Sequence, residues 1–144
     1  MSKRLDGKVA LITGAGSVGP GWGNGRAIAV RFAEEGAKVF ALDRDAERMV
    51  ETERLAREAG GEIECSNVDV TQSASIAQAV QACIARFGRI DVLVNNVGGS
   101  AAGGPVEMSE EVFDAQVDHN LKSVFLTCKY VIPHMHVKNT LFRL

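Results

Sequence analysis

The segment Leu11–Ala29, LITGAGSVGPGWGNGRAIA, constrains the fold more than any other part of the chain. A short apolar strand runs into a turn crowded with six glycines: Gly14, Gly16, Gly19, Gly21, Gly23 and Gly25. The turn opens directly into a helix. Glycine has no Cβ, so the backbone bends sharply there and a ligand can approach it closely. The first turn of the helix presents unpaired N–H groups and a partial positive charge. Together these features suit a pyrophosphate, and they imply a nucleotide cofactor. The competing reading is a flexible linker, but a linker would not sit between an apolar strand and an uninterrupted helix.

The 144 residues fit one domain. Hydrophobic residues make up 46% of the chain, enough for a packed core, and the 24% charged is ordinary. A net charge of −2 with no basic block argues against a nucleic-acid partner. The apolar runs, such as Val9–Ile12, are far too short to span a bilayer. The start, MSKRLDGK, has no sustained apolar stretch behind it, so no signal peptide is expected and the cytoplasm is the expected location. Cys65, Cys83 and Cys128 form no CxxC pair, which fits free thiols.

Apolar runs alternate with helical ones. Strands are expected at Lys8–Thr13, Lys38–Leu42, Glu62–Ser66 and Asp91–Asn95, and helices at Asn24–Glu35, Arg44–Ala59 and Ser73–Phe87. In the second helix Ala46, Met49, Val50 and Ala56 are expected on one face. In the third, Ile76, Ala79, Val80, Cys83, Ile84 and Phe87 form one apolar stripe, with Ser73 as its cap and Gly88 as its stop. A Gly/Ala/Ser loop from Gly98 to Pro105 precedes a long helical region, about Ser109 to Ile132, that ends near Pro133. This pattern implies an α/β fold: a doubly wound parallel sheet of strand order 3-2-1-4, with ligands at the carboxyl ends of the strands where the order reverses. Residues 1–135 make up this domain, and the tail 136–144 fits no element of it.

At this point the chain resembles the short-chain dehydrogenases/reductases, an NAD(P)-dependent family with a Rossmann fold. The segment LDGKVALITGAGS is similar to the family's opening strand and turn. The pattern TGxxxGxG is recovered as Thr13, Gly14, Gly23 and Gly25 once Val18–Trp22 is treated as a five-residue insertion. Asp69-Val70-Thr71, Asn95-Asn96-Val97-Gly98 and His119-Asn120-Leu121 follow in the family's order. The insertion, VGPGW, is expected to place Trp22 beside the cofactor, and is reminiscent of a GWG loop in the enoyl-reductase branch of the superfamily. Asn95–Gly98 argues against that branch.

The resemblance implies hydride transfer between the nicotinamide and a small-molecule carbonyl or alcohol, in a homo-oligomer. It also exposes a gap. The family's catalytic Ser and Tyr-x-x-x-Lys lie beyond the fourth helix, whereas here the only tyrosine is Tyr130, with His134 four residues on. The expectation is a chain inactive by itself, the cofactor-binding portion of a longer enzyme. The alternative is a non-catalytic NAD-binding or oligomerisation module.

For the cofactor, Gly14, Gly23 and Gly25 are expected to let the backbone approach the pyrophosphate, with Ser17 and Asn24 lining the turn. Asp43, ending the second strand, can accept both ribose hydroxyls and repel a 2′-phosphate, which favours NAD. The neighbouring Arg44 keeps NADP possible, and Asp43 has an alternative role as a helix cap. By resemblance Asp69 contacts the adenine amino group and Val70 packs on the ring; the alternative is an Asx turn. Asn96 and Gly98 line the adenosine ribose by resemblance, with a polar strand-end turn as the alternative. Asn95 is expected to tie neighbouring strands through its amide. Asn120 is a poor helix-interior residue; by resemblance it is the family's active-site asparagine. His119, His134 and His136 lack a carboxylate or thiolate at ligand spacing, so no metal is expected.

Overall fold

The computed structural model describes residues 3–135. Four strands, β1 (Val9–Thr13), β2 (Lys38–Asp43), β3 (Glu62–Asn67) and β4 (Val92–Val94), form one parallel sheet in the order β3-β2-β1-β4. Helices α1 (Asn24–Glu34), α2 (Ala46–Glu58) and α3 (Ser73–Phe87) are the crossovers. After β4 come α4 (Glu110–Val117), a π-helical turn (Asp118–Lys122), α5 (Ser123–Val131) and a 3-10 turn (Ile132–His134).

Alternation along the strands divides the core in two. Val9 and Leu11 of β1, with Phe40 and Leu42 of β2, face α3 and α5. Ala10, Ile12, Val39 and Ala41 face α1 and α2. The second face is rich in alanine, including Ala29, Ala33 and Ala56, and small side chains let two helices lie close to the sheet. The first face is bulkier; there Phe40 meets Phe87 edge-on, with ring centroids 6.3 Å apart.

Several local expectations need correction. On α2 the buried residues are Met49, Thr52 and Ala56, while Val50 is 66% exposed and Ala46 is exposed too. The expected stripe was set by apolar type, and it passed over a threonine whose hydroxyl is satisfied in the interior. Ser73 does not cap α3; Gln72 occupies that position without a side-chain bond, although Gly88 does end the helix in a left-handed conformation. The long last helix is interrupted by the π turn, because the Asn120 amide donates back to the Gln116 carbonyl and competes with the regular ladder. Past Pro133, Met135 bridges Ile90 in parallel. The tail 136–144, with His136, lies outside the described residues.

Candidate cofactor-binding site

A cleft of about 570 Å3 opens at the carboxyl ends of the strands, between β1 and β4 where the sheet order reverses. That is within the range of ligand clefts, roughly 300–1,000 Å3. Every candidate cofactor residue lines it: Gly14, Ser17, Gly23, Asn24, Gly25, Asp43, Asp69, Val70, Asn96 and Gly98.

The floor is the glycine turn. Gly14 has φ +64°, a conformation that side chains resist. A Cβ on Gly25 would lie 1.7 Å from the Gly14 carbonyl oxygen, so α1 begins in backbone contact with the end of β1. These contacts join Gly14 to Gly25 across the insertion, as the recovered glycine pattern requires. At the start of α1, Gly23 offers no side-chain cap, whereas Asp45 caps α2 and Ser109 caps α4. Its first amides are left for water or a ligand, and Asn24 and Gly25 carry them to the cleft wall. Nothing in the turn fills the cradle, so the residues present fit a diphosphate.

Asp43 ends β2 without capping the next helix; that role falls to Asp45, whose carboxylate accepts from the Glu47 amide at 3.1 Å. One Asp43 oxygen accepts from the Gly16 amide at 3.0 Å and the other from the Asp45 amide at 3.1 Å. Each oxygen thus uses one lone pair in these bonds among the described residues, and the side chain borders the cleft. Arg44 and Arg48 line the same end. Arg48 pairs with Asp45 at 3.0 Å, while Arg44 makes no ion pair among the described residues.

Asp69 forms the Asx turn. It accepts from the Thr71 hydroxyl at 2.7 Å and the Thr71 amide at 2.9 Å, and these bonds hold its carboxyl below the usual range. The turn coexists with a place on the cleft wall. Val70 beside it is 5% exposed yet still contributes to that wall.

Asn96 lines the cleft and also takes the strand tie expected of Asn95. Asn96 ties the strands: its side-chain amide donates to the Gly14 carbonyl at 3.0 Å and its backbone amide donates to the Thr13 hydroxyl at 3.1 Å. Asn95 instead reaches α5, accepting from the Thr127 hydroxyl at 2.5 Å. Successive side chains on extended backbone point to opposite sides, so one of the two reaches Gly14 and the other α5. Asn120 stands on the π turn, outside the cleft wall. It clamps Gly99, accepting from its amide and donating to its carbonyl, both at 2.9 Å.

Trp22 is not beside the cleft. It is 64% exposed and lines a separate recess with Pro20, Arg26 and Leu55, because the insertion folds back toward α2. Sequence reasoning missed four residues. Thr13 bridges β1 to the end of β4, Gln116 and His119 close the far rim, and Arg26 is buried behind the turn. The TG pair and the His-Asn-Leu motif pointed at the first and third; a buried arginine in a glycine-rich helix start leaves no such mark.

Among the described residues no three His, Cys, Asp or Glu side chains are grouped as a metal site, and no helix is long and apolar enough to cross a membrane.

Comparison with known proteins agrees with this geometry. Residues 8–140 match the family model for short chain dehydrogenase. The chain is 40% identical over 132 residues to the 3-oxoacyl-(acyl-carrier-protein) reductase FabG of Thermotoga maritima, covering 92% of this chain and 52% of that protein. A crystal structure of a Burkholderia xenovorans protein assigned to the short-chain dehydrogenases/reductases superposes with TM-score 0.90 at 57% identity, covering 92% of this chain and 51% of that one. Carveol dehydrogenase from Mycobacterium avium, solved in complex with NAD, gives TM-score 0.84 at 32% identity over 92% of this chain and 50% of that one. The chain spans about half the length of these relatives, and it belongs to the short-chain dehydrogenase family.

Proposed function

We propose that this chain binds a nicotinamide dinucleotide in the cleft, NAD in preference to NADP, as the cofactor portion of a short-chain oxidoreductase acting on a small carbonyl or alcohol. The observation that carries the reading is the bare start of α1, held against Gly14 at the point where the sheet order reverses. The diphosphate would sit on the amides of Asn24 and Gly25, the adenosine ribose at Asp43, and the adenine between Val70 and the Asp69 turn. When bound, the nicotinamide supplies hydride chemistry.

What the chain's own residues add is binding and orientation. No tyrosine or lysine lines the cleft among the described residues, and Tyr130 packs against the core on α5. Gln116 and His119 close the far rim, and Asn120, behind the wall, fixes Gly99 there. This supports a chain that binds the cofactor without turnover by itself, as the cofactor portion of a longer enzyme would. Assembly as a homo-oligomer and a cytoplasmic location belong to the proposal too.

Calorimetric titration of the purified chain with NAD and NADP tests it. NAD should bind at least about tenfold tighter than NADP, about 1.4 kcal/mol. Asp43→Asn should narrow that gap by weakening NAD. A chain that binds neither dinucleotide disproves the reading.

A further inference from the structure

The inserted segment Val18–Trp22 is anchored from beneath. Arg26, the third residue of α1, is 6% exposed. Its Nε donates to the Thr52 hydroxyl at 3.2 Å, one terminal nitrogen donates to the Arg48 carbonyl at 3.2 Å, and the other donates to the Gly21 carbonyl inside the insertion. Thr52 is fully buried and passes the chain of bonds on, donating to the Ala15 carbonyl at 2.9 Å. A hydroxyl has one proton, so accepting from Arg26 and donating to Ala15 fixes the direction of both bonds. One guanidinium thus holds the far side of the insertion directly, and the near side of the turn through Thr52.

No carboxylate among the described residues is bonded to Arg26; Glu51, close by on α2, is engaged by Arg54 at 2.6 Å. A buried cation whose hydrogen bonds all go to neutral acceptors tolerates little displacement of them. The turn it holds is set from the other side as well. The Ala15 amide donates to the Leu42 carbonyl at 3.0 Å, and the Gly16 amide meets Asp43.

We infer that Arg26 and Thr52 are positioning residues for the diphosphate part of the cleft, and that they hold the insertion as a fixed wall of the turn. The inference rests on the cofactor reading above. It predicts a split by ligand part. The bonds end on the Ala15, Gly21 and Arg48 carbonyls and touch neither the Asp43 carboxylate nor Asp69 nor Val70, so losing them should disturb phosphate binding more than adenosine binding.

The test uses the whole chain and two probes, ADP and adenosine, titrated into the parent, Thr52→Val, Thr52→Ser and Arg26→Lys. Thr52→Val keeps the shape but leaves the Arg26 Nε and the Ala15 carbonyl unpartnered. It should weaken ADP about tenfold while adenosine changes less than about twofold. Thr52→Ser should restore ADP affinity to within about twofold. Time-resolved anisotropy of Trp22, the only tryptophan, gives a readout free of ligand. Its nanosecond component should grow in Thr52→Val and Arg26→Lys.

Unchanged ADP affinity in both variants, or equal losses of ADP and adenosine, would overturn the inference and leave the pair a purely structural role. If Thr52→Val does not fold, Arg26→Lys decides by the same criteria, since it keeps the charge but loses the three-way fork. A parent chain that binds no ADP overturns the cofactor reading and this inference together; a parent that binds ADP with unaffected variants overturns the inference alone.

Discussion

Strand β1 has a different neighbourhood on each side. Toward β2 it pairs over five positions, and Val39, Phe40, Ala41 and Leu42 opposite it are all at most 2% exposed. Toward β4 it pairs over three, and Val92, Leu93 and Val94 are all half-buried. Beyond β4, Phe113, Leu121 and Phe125 on α4, the π turn and α5 are 57%, 67% and 61% exposed. The β2 side closes its own core from local β-α-β contacts. The β4 side is assembled across long sequence separations and leaves an apolar stripe uncovered among the described residues. The cleft opens between the two sides, where consecutive crossovers diverge to opposite faces of the sheet.

The largest expected effect compares phenylalanines from the two sides. Phe40→Ala should cost about 3–5 kcal/mol, as for a filled core site. Phe125→Ala should cost no more than about 0.5 kcal/mol, as for an exposed position. Urea unfolding at low protein concentration measures both. Phe125→Ala should also lower self-association in sedimentation equilibrium, since an exposed apolar stripe favours association. Equal costs at the two positions would break the comparison.

The next effect falls on the seam itself. Gly25→Ala puts a Cβ against the Gly14 carbonyl, and neither backbone can yield without parting α1 from β1. The expected cost is about 3 kcal/mol, at the upper end for overpacking. ADP binding in calorimetry should fall below detection. A variant that keeps parental affinity would show that the joint does not shape the cradle.

The β2 side was the more legible in the sequence, and the reason is physical. All four strands, α1 and α3 fall within a residue of their expected bounds, whereas the long helical region expected after β4 is broken by the π turn. The glycine turn and the cleft residues were legible because backbone approach requires a particular residue type at a particular spacing. What the sequence hid were polar groups whose partners are distant in the chain. Thr52 reads as a surface threonine until Ala15 and Arg26 are brought to it. Asn95 and Asn96 are adjacent and alike, and only the side of the sheet that each faces decides which meets Gly14. Trp22 is a further case: Arg26 ties the Gly21 carbonyl next to it, a bond that spacing does not reveal.

The smallest effect sharpens the contrast by its pH dependence. The β2 seam is held by apolar burial, whereas the β1–β4 seam carries a charged tie at its base. Asp91 accepts from the Val9 amide at 2.9 Å and pairs with Arg89, whose Nε is buried without a partner among the described residues. Burial pushes the Asp91 carboxyl up, but the Val9 amide and the Arg89 guanidinium outweigh it and hold it below its ordinary value. A carboxyl depressed in the folded state adds stability that is fully present above its unfolded value, about 3.9, and is lost as pH falls through the folded one. Asp91→Asn should therefore cost about 1–2 kcal/mol near pH 7, as for a bond to a charged group. The gap between the variant and the parent should close as pH falls below about 4. Hydrogen exchange at the Val9 amide should quicken in the variant at neutral pH and match the parent in acid. A gap that stays constant from neutral to acid pH would mean that the charge contributes nothing, and that the β1–β4 seam rests on the same apolar burial as its neighbour.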